Sequence, residues 1–111
     1  RDKNRRLQEQ DMELMWSANQ QLGSSADLFT GVLYNNYAPP KGFCFDYLCG
    51  DQMVDDPSST EFNIPAKVAA FVDYAKNQSR AYKTNHILMT MGEDFHYQYA
   101  ESWFANLDKV I

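Results

Sequence analysis

Asp94 occupies the most informative place among the residues able to do chemistry. It lies in His86-Ile87-Leu88-Met89-Thr90-Met91-Gly92-Glu93-Asp94-Phe95-His96-Tyr97, a run that is apolar up to Gly92, delivers two adjacent carboxylates and passes directly into a helical pattern. This predicts a short buried strand over 86–92 that stops at the glycine. In α/β folds the loops leaving the carboxyl ends of parallel strands face a crevice on a rigid scaffold, and catalytic side chains gather there. A carboxylate so placed can act as a general acid or base. The same place suits a plain N-cap that accepts a first-turn N–H, and the pattern alone leaves both readings open. Glu93 points elsewhere from its neighbour, so the two do not make a paired-carboxylate site by themselves. His86 and His96 stand at opposite ends of the strand with no clustered ligand set, which favours structural roles over zinc ligation. Tyr37, in Asn35-Asn36-Tyr37-Ala38-Pro39-Pro40, is open between a turn residue packed on the core and an aromatic wall of a sugar site.

The elements that must position these residues read as helix, strand, loop, helix, strand, helix. Leu7, Leu14, Met15, Ala18 and Leu22 fall at helical spacing with Gly23 as a stop, predicting a first helix over 7–22. Asp27-Leu28-Phe29-Thr30-Gly31-Val32-Leu33 suits a buried strand. The long irregular stretch that follows carries Tyr34, Tyr37, Phe43, Phe45, Tyr47 and Phe62, too many aromatics to leave in water, so it reads as a packed loop rather than a linker. Asn63 offers an N-cap, Pro65 falls in the first turn, and Ile64, Val68, Phe71, Val72 and Ala75 form a helical stripe. Ala100, Trp103, Phe104, Leu107 and Ile111 form another. Alternating helices and continuously apolar strands predict an α/β fold, a parallel sheet covered by helices.

Cys44 and Cys49 are separated by four residues, without the second pair or nearby histidines that a zinc site needs, and a local disulfide fits better. An oxidised pair places the protein in a secretory, lysosomal or extracellular compartment. The sequon Asn77-Gln78-Ser79 marks Asn77 as a glycosylation candidate and points the same way. The 111 residues are 44% apolar, with seven Phe, seven Tyr and two Trp, which excludes a disordered chain. The net charge of -5, with basic residues clustered only in Arg1, Lys3, Arg5 and Arg6, argues against nucleic acid as a partner. No apolar run approaches the roughly 20 residues of a membrane-spanning helix. Both ends of the chain fall within helical patterns, so residues 1–111 are expected to be an internal piece of one larger domain.

Met89-Thr90-Met91-Gly92-Glu93-Asp94-Phe95, followed by Trp103-Phe104 and Asn106-Leu107-Asp108-Lys109, resembles the acid/base segment of the lysosomal α-mannosidases, zinc-dependent retaining glycosidases. Asp27 to Leu33, Asn36-Tyr37 with Pro39-Pro40, and Cys44-Phe45-Asp46 through Cys49 are similar to that family in the same order, so the likeness covers nearly the whole chain. The resemblance implies that Asp94 is the general acid/base, that Tyr37 is an active-site tyrosine contacting substrate, and that Cys44 pairs with Cys49. It also implies that residues 1–111 belong to an N-terminal α/β-barrel catalytic domain of parallel strands covered by helices, incomplete on its own.

The zinc ligands and nucleophile of that family come from a His-x-Asp segment, a Trp-Gln-x-Asp segment and a further histidine, none of which occurs in residues 1–111. The resemblance therefore implies a zinc cofactor bound outside this chain, association with other chains of the same enzyme in an oligomer, and a lysosomal or secreted location. It implies hydrolysis of terminal α-D-mannose from glycoprotein-derived oligosaccharides by double displacement. Glu93 and His96 fall at positions that vary in the family and receive no role. The rival reading is a non-catalytic carbohydrate-binding or structural fragment whose aromatic loop is the binding surface.

Overall fold

The computed structural model describes residues 2–111. The first helix, α1 (Asp2–Glu9), has no buried residue and no apolar stripe. Side-chain pairs hold it instead: Arg6 bonds Asp2 at 2.6 Å and Arg5 bonds Glu9 at 2.6 Å, each four residues apart on one helix face. Gln10 takes the left-handed conformation (φ 54°), and the Asp11 N–H donates back to the Arg6 carbonyl at 2.8 Å. This six-to-one closure is the bond of a Schellman stop. It corrects the predicted helix over 7–22. Leu14 and Met15 lie instead in strand β1 (Glu13–Ser17), and Ala18 and Leu22 lie beyond any helix of that span.

β1 pairs antiparallel with β2 (Asp27–Gly31) in the register Met15↔Phe29 and Trp16↔Leu28, closed at one end by Ser17 Oγ donating to Asp27 at 2.8 Å. Only the residues 18–26 join them, too few for the dozen or more that a parallel crossover requires. The two-stranded ribbon leaves Met15 and Phe29 61% and 66% exposed, so the strand expected to be buried is largely open. A third strand, β3 (Tyr34–Tyr37), follows.

Residues 86–92 form no regular strand. An apolar run of that kind is suited to a central position between parallel neighbours, and among the described residues the paired sheet is the antiparallel β1–β2 ribbon. The fold in hand is thus a mixture of helices with a small antiparallel sheet, and the parallel arrangement predicted from the sequence is absent from the described residues.

Two compact units divide the chain. In the first, residues 2–34 with 76–88, Met12 is fully buried, its carbonyl accepting the Val32 N–H at 2.7 Å. Gln78, also buried, donates to the Leu88 carbonyl at 2.8 Å, and the Tyr82 hydroxyl donates to the Val32 carbonyl.

The second unit, residues 35–75 with 89–111, is built round Phe45, Met53, Trp103 and Val110. Phe45 and Met53 come from the irregular loop, as expected of a stretch too aromatic to be a linker, although Tyr47 and Phe62 stay exposed. Helix α2 (Ile64–Ser79) lays Ile64, Val68 and Phe71 against this core. Asn63 stands at its start, the Lys67 N–H bonding the Asn63 carbonyl, but the Asn63 side chain ties the loop: Oδ1 accepts the Val54 N–H at 3.0 Å and Nδ2 donates to the Gln52 carbonyl at 2.8 Å. Helix α3 (Ala100–Asp108) buries Trp103 and packs Leu107, while Phe104 and Ile111 of the predicted stripe remain exposed. Among the described residues no helix is long and apolar enough to cross a membrane.

Candidate active site

The second unit brings Asp94 and Tyr37 together. Strand β3 ends at Tyr37, whose backbone carbonyl accepts the Gly92 N–H at 3.0 Å. One residue further on, the Ala38 carbonyl accepts the Thr90 hydroxyl at 2.7 Å. These two links run the 89–92 segment alongside the Tyr37 loop, and the Tyr37 hydroxyl then donates to Asp94 Oδ1 at 3.1 Å across 57 residues of sequence. Both side chains are exposed. The bond from Tyr37 to Asp94 and the charge of Asp94, then desolvation and lastly the charge of Glu93, push the Tyr37 hydroxyl above its ordinary pKa. The phenol therefore stays protonated, and able to donate, throughout the neutral and acid range.

The cap reading of Asp94 does not describe this geometry. A 3-10 turn (His96–Tyr99) precedes α3, and its N-cap residue is Phe95, with no side chain capping it. Phe95 adopts φ 64° while 80% exposed, an uncommon conformation for a bulky side chain that re-aims the chain directly after Asp94. Gly92 is not the residue that needs conformational freedom here. A Cβ at Gly92 would sit at an ordinary 3.4 Å from the Tyr37 carbonyl oxygen.

A cavity of about 640 Å³ opens beside this turn, lined by Lys41, Tyr47, Glu93, Phe95, His96 and Tyr99 among others. Glu93 and Phe95, the neighbours of Asp94 on either side, both face it. Tyr47 and Tyr99 meet edge to face with ring centres 5.7 Å apart. The disulfide Cys44–Cys49 closes the loop that forms one wall, with Cα atoms 5.9 Å apart, as the spacing of the cysteines predicts. Inside that loop Asp46 accepts the Leu48 N–H at 2.9 Å and the Trp103 indole N–H at 3.1 Å, and these donors hold its carboxyl below the usual carboxylate range. Nothing in the spacing of the sequence singled out Asp46, Thr90 or Trp103 for these roles, because each acts through a partner more than 50 residues away.

His96 and Glu93 approach to 3.8 Å, and the His96 ring lies 5.0 Å from that of Trp103. His86 is exposed and is not part of this grouping. Among the described residues no three His, Cys, Asp or Glu side chains gather as a metal-binding set, so these residues by themselves do not build a zinc site. Asn77 is exposed in the last turns of α2.

A carboxylate on a sharp turn, hydrogen-bonded to a tyrosine hydroxyl beside an aromatic-lined cavity, has the chemistry to exchange a proton with a bound molecule. Residues 1–111 match the family described as Glycosyl hydrolases family 38 N-terminal domain, and the chain belongs to that family. It is 53% identical over 112 residues to the lysosomal alpha-mannosidase of Cavia porcellus and 51% identical over 112 residues to that of Homo sapiens. It is 39% identical over 111 residues to the alpha-mannosidase of Canavalia ensiformis. Each comparison covers 99% of this chain and 11% of the relative, so the chain spans about a tenth of the length of the relatives it matches.

Proposed function

We propose that this chain contributes the general acid/base, Asp94, to a retaining α-mannosidase that hydrolyses terminal α-D-mannose from glycoprotein-derived oligosaccharides. The observation that carries the reading is the Tyr37–Asp94 pair: the carboxylate is engaged by a distant tyrosine and leaves the neighbouring turn uncapped. Tyr37 holds Oδ1, which leaves Oδ2 free to face a glycosidic oxygen. Protonated Asp94 gives its proton to that oxygen as the bond to C1 breaks, while a carboxylate from outside residues 1–111 attacks C1. A water then replaces the enzyme at C1, and Asp94 takes a proton from it. The two carboxyl groups are expected about 5–5.5 Å apart, as in retaining enzymes.

The reading extends to the rest of the enzyme. The chain works within an α/β-barrel completed by other parts of the same enzyme, which cover the exposed apolar residues of the β1–β2 ribbon and hold zinc through ligands outside this chain. A lysosomal location is supported by the lysosomal relatives and by the disulfide.

The test is Asp94→Asn in the complete enzyme. Turnover of mannosides with poor leaving groups is expected to be almost abolished, because an amide cannot protonate the departing oxygen. An activated aryl mannoside escapes in part and accumulates the glycosyl-enzyme, which azide then releases. Near-normal turnover of both substrate types would overturn the assignment.

A further inference from the structure

We infer that Thr90 and Tyr97 are positioning residues for the Tyr37–Asp94 pair, a proposal that rests on the acid/base reading of Asp94. Both partners of the pair are exposed, and Phe95 beside Asp94 is 80% exposed, so burial does little to fix the place of the carboxylate. The main chain has to fix it. Three links do so from the two sides of the turn. Thr90 donates its hydroxyl to the Ala38 carbonyl at 2.7 Å, and the Gly92 N–H donates to the Tyr37 carbonyl at 3.0 Å, which together set the Tyr37 loop against the 90–92 segment. On the other side, the Tyr97 hydroxyl donates to the Met91 carbonyl, between those two links. The Tyr97 ring is anchored in turn, 5.1 Å from the ring of Trp103 and 5.7 Å from that of Phe104. The buried Trp103 thus reaches the Asp94 turn through Tyr97 and the Met91 carbonyl, and Thr90 extends the same frame to the Tyr37 loop.

Each hydroxyl can be removed while its packing is kept. Thr90→Val preserves the branched shape and Tyr97→Phe preserves the ring, so each variant releases one strut without opening a cavity. A misplaced acid slows the first step, which kcat/KM reports, only for substrates whose leaving group needs its proton; the base role of Asp94 in the second step is common to all substrates. In the complete enzyme, each variant is expected to lose roughly ten- to a hundredfold in kcat/KM on mannosides with poor leaving groups, since small displacements of a reacting group carry penalties of that order. Loss of kcat/KM on a dinitrophenyl mannoside should stay within about threefold, because protonation contributes little to departure of so good a leaving group. Thr90→Ser, which restores the hydroxyl, should recover most of the difference.

The activated substrate also reports folded enzyme in each preparation. Equal losses of kcat/KM on both substrates would mean a general structural role and would overturn the proposal, as would full activity on both. If Asp94→Asn shows the leaving-group dependence and Thr90→Val and Tyr97→Phe do not, the positioning proposal alone fails. If Asp94→Asn shows none, the acid/base reading fails with it.

Discussion

Two of the contributions that hold the loop walling the cavity, its disulfide and its buried phenylalanine, can be compared from the structure. The Cys44–Cys49 bridge spans a sequence separation of 5, and closing so small a ring contributes about 2 kcal/mol in the chain-entropy picture. Phe45, inside the same ring, is 0% exposed and packs between Phe43 and Trp103, with ring centres at 6.2 and 5.9 Å. Truncating a phenylalanine so enclosed costs about 3–5 kcal/mol, the lost transfer energy plus the cavity left behind. Phe45→Ala should therefore loosen the loop more than the double Cys44→Ser, Cys49→Ser variant, by about 1–3 kcal/mol, or roughly five- to 150-fold in the opening equilibrium. Hydrogen exchange of the 44–49 amides in the complete enzyme measures that opening. The Leu48 and Cys49 N–H groups are suitable reporters, because both are bonded to Asp46 when the loop is closed. Exchange in the bridge-free variant as fast as in Phe45→Ala, or faster, would refute the view that burial rather than cross-linking holds this wall.

Asp46 makes the same loop sensitive to acid. Its folded pKa is depressed by the Leu48 and Trp103 donors, so its contribution is fully present above the ordinary carboxylate value of about 3.9 and is lost as pH falls through the lower folded value. The stability gap between wild type and Asp46→Asn should accordingly shrink in melts taken below pH about 4, and a gap that widens there would contradict the sign. At Asn77, exposed within its sequon on α2, expression of the complete enzyme in a secretory host should give a glycopeptide that Asn77→Gln abolishes. Finding that peptide unmodified in secreted material would end the assignment.

Some of this protein could be read from residue order alone. Helix α2 was legible because its apolar stripe and Pro65 are local signals, and so was the disulfide, because two cysteines with no second pair or histidine near them favour a local bridge over a metal site. The aromatic loop was legible in part: Phe43 and Phe45 pack, as so many aromatics suggest, while Tyr37, Tyr47 and Phe62 stay exposed. The first helix was overextended because apolar spacing carries no record of a left-handed Gln10, the residue that closes α1 and frees Leu14 and Met15 for a strand. The direction of strand pairing was likewise invisible to periodicity, since an apolar run reads the same between parallel neighbours as it does with none beside it.

At the site, the residue types of Asp94 and Tyr37 and their places in two separate motifs belong to the sequence. Whether Asp94 caps a turn or meets a tyrosine 57 residues away is decided by tertiary structure, because it depends on hydrogen bonds from Thr90 and Gly92 to backbone carbonyls of a distant loop. Backbone carbonyls are chemically the same at every residue, so no spacing in the chain announces which of them a side chain will find.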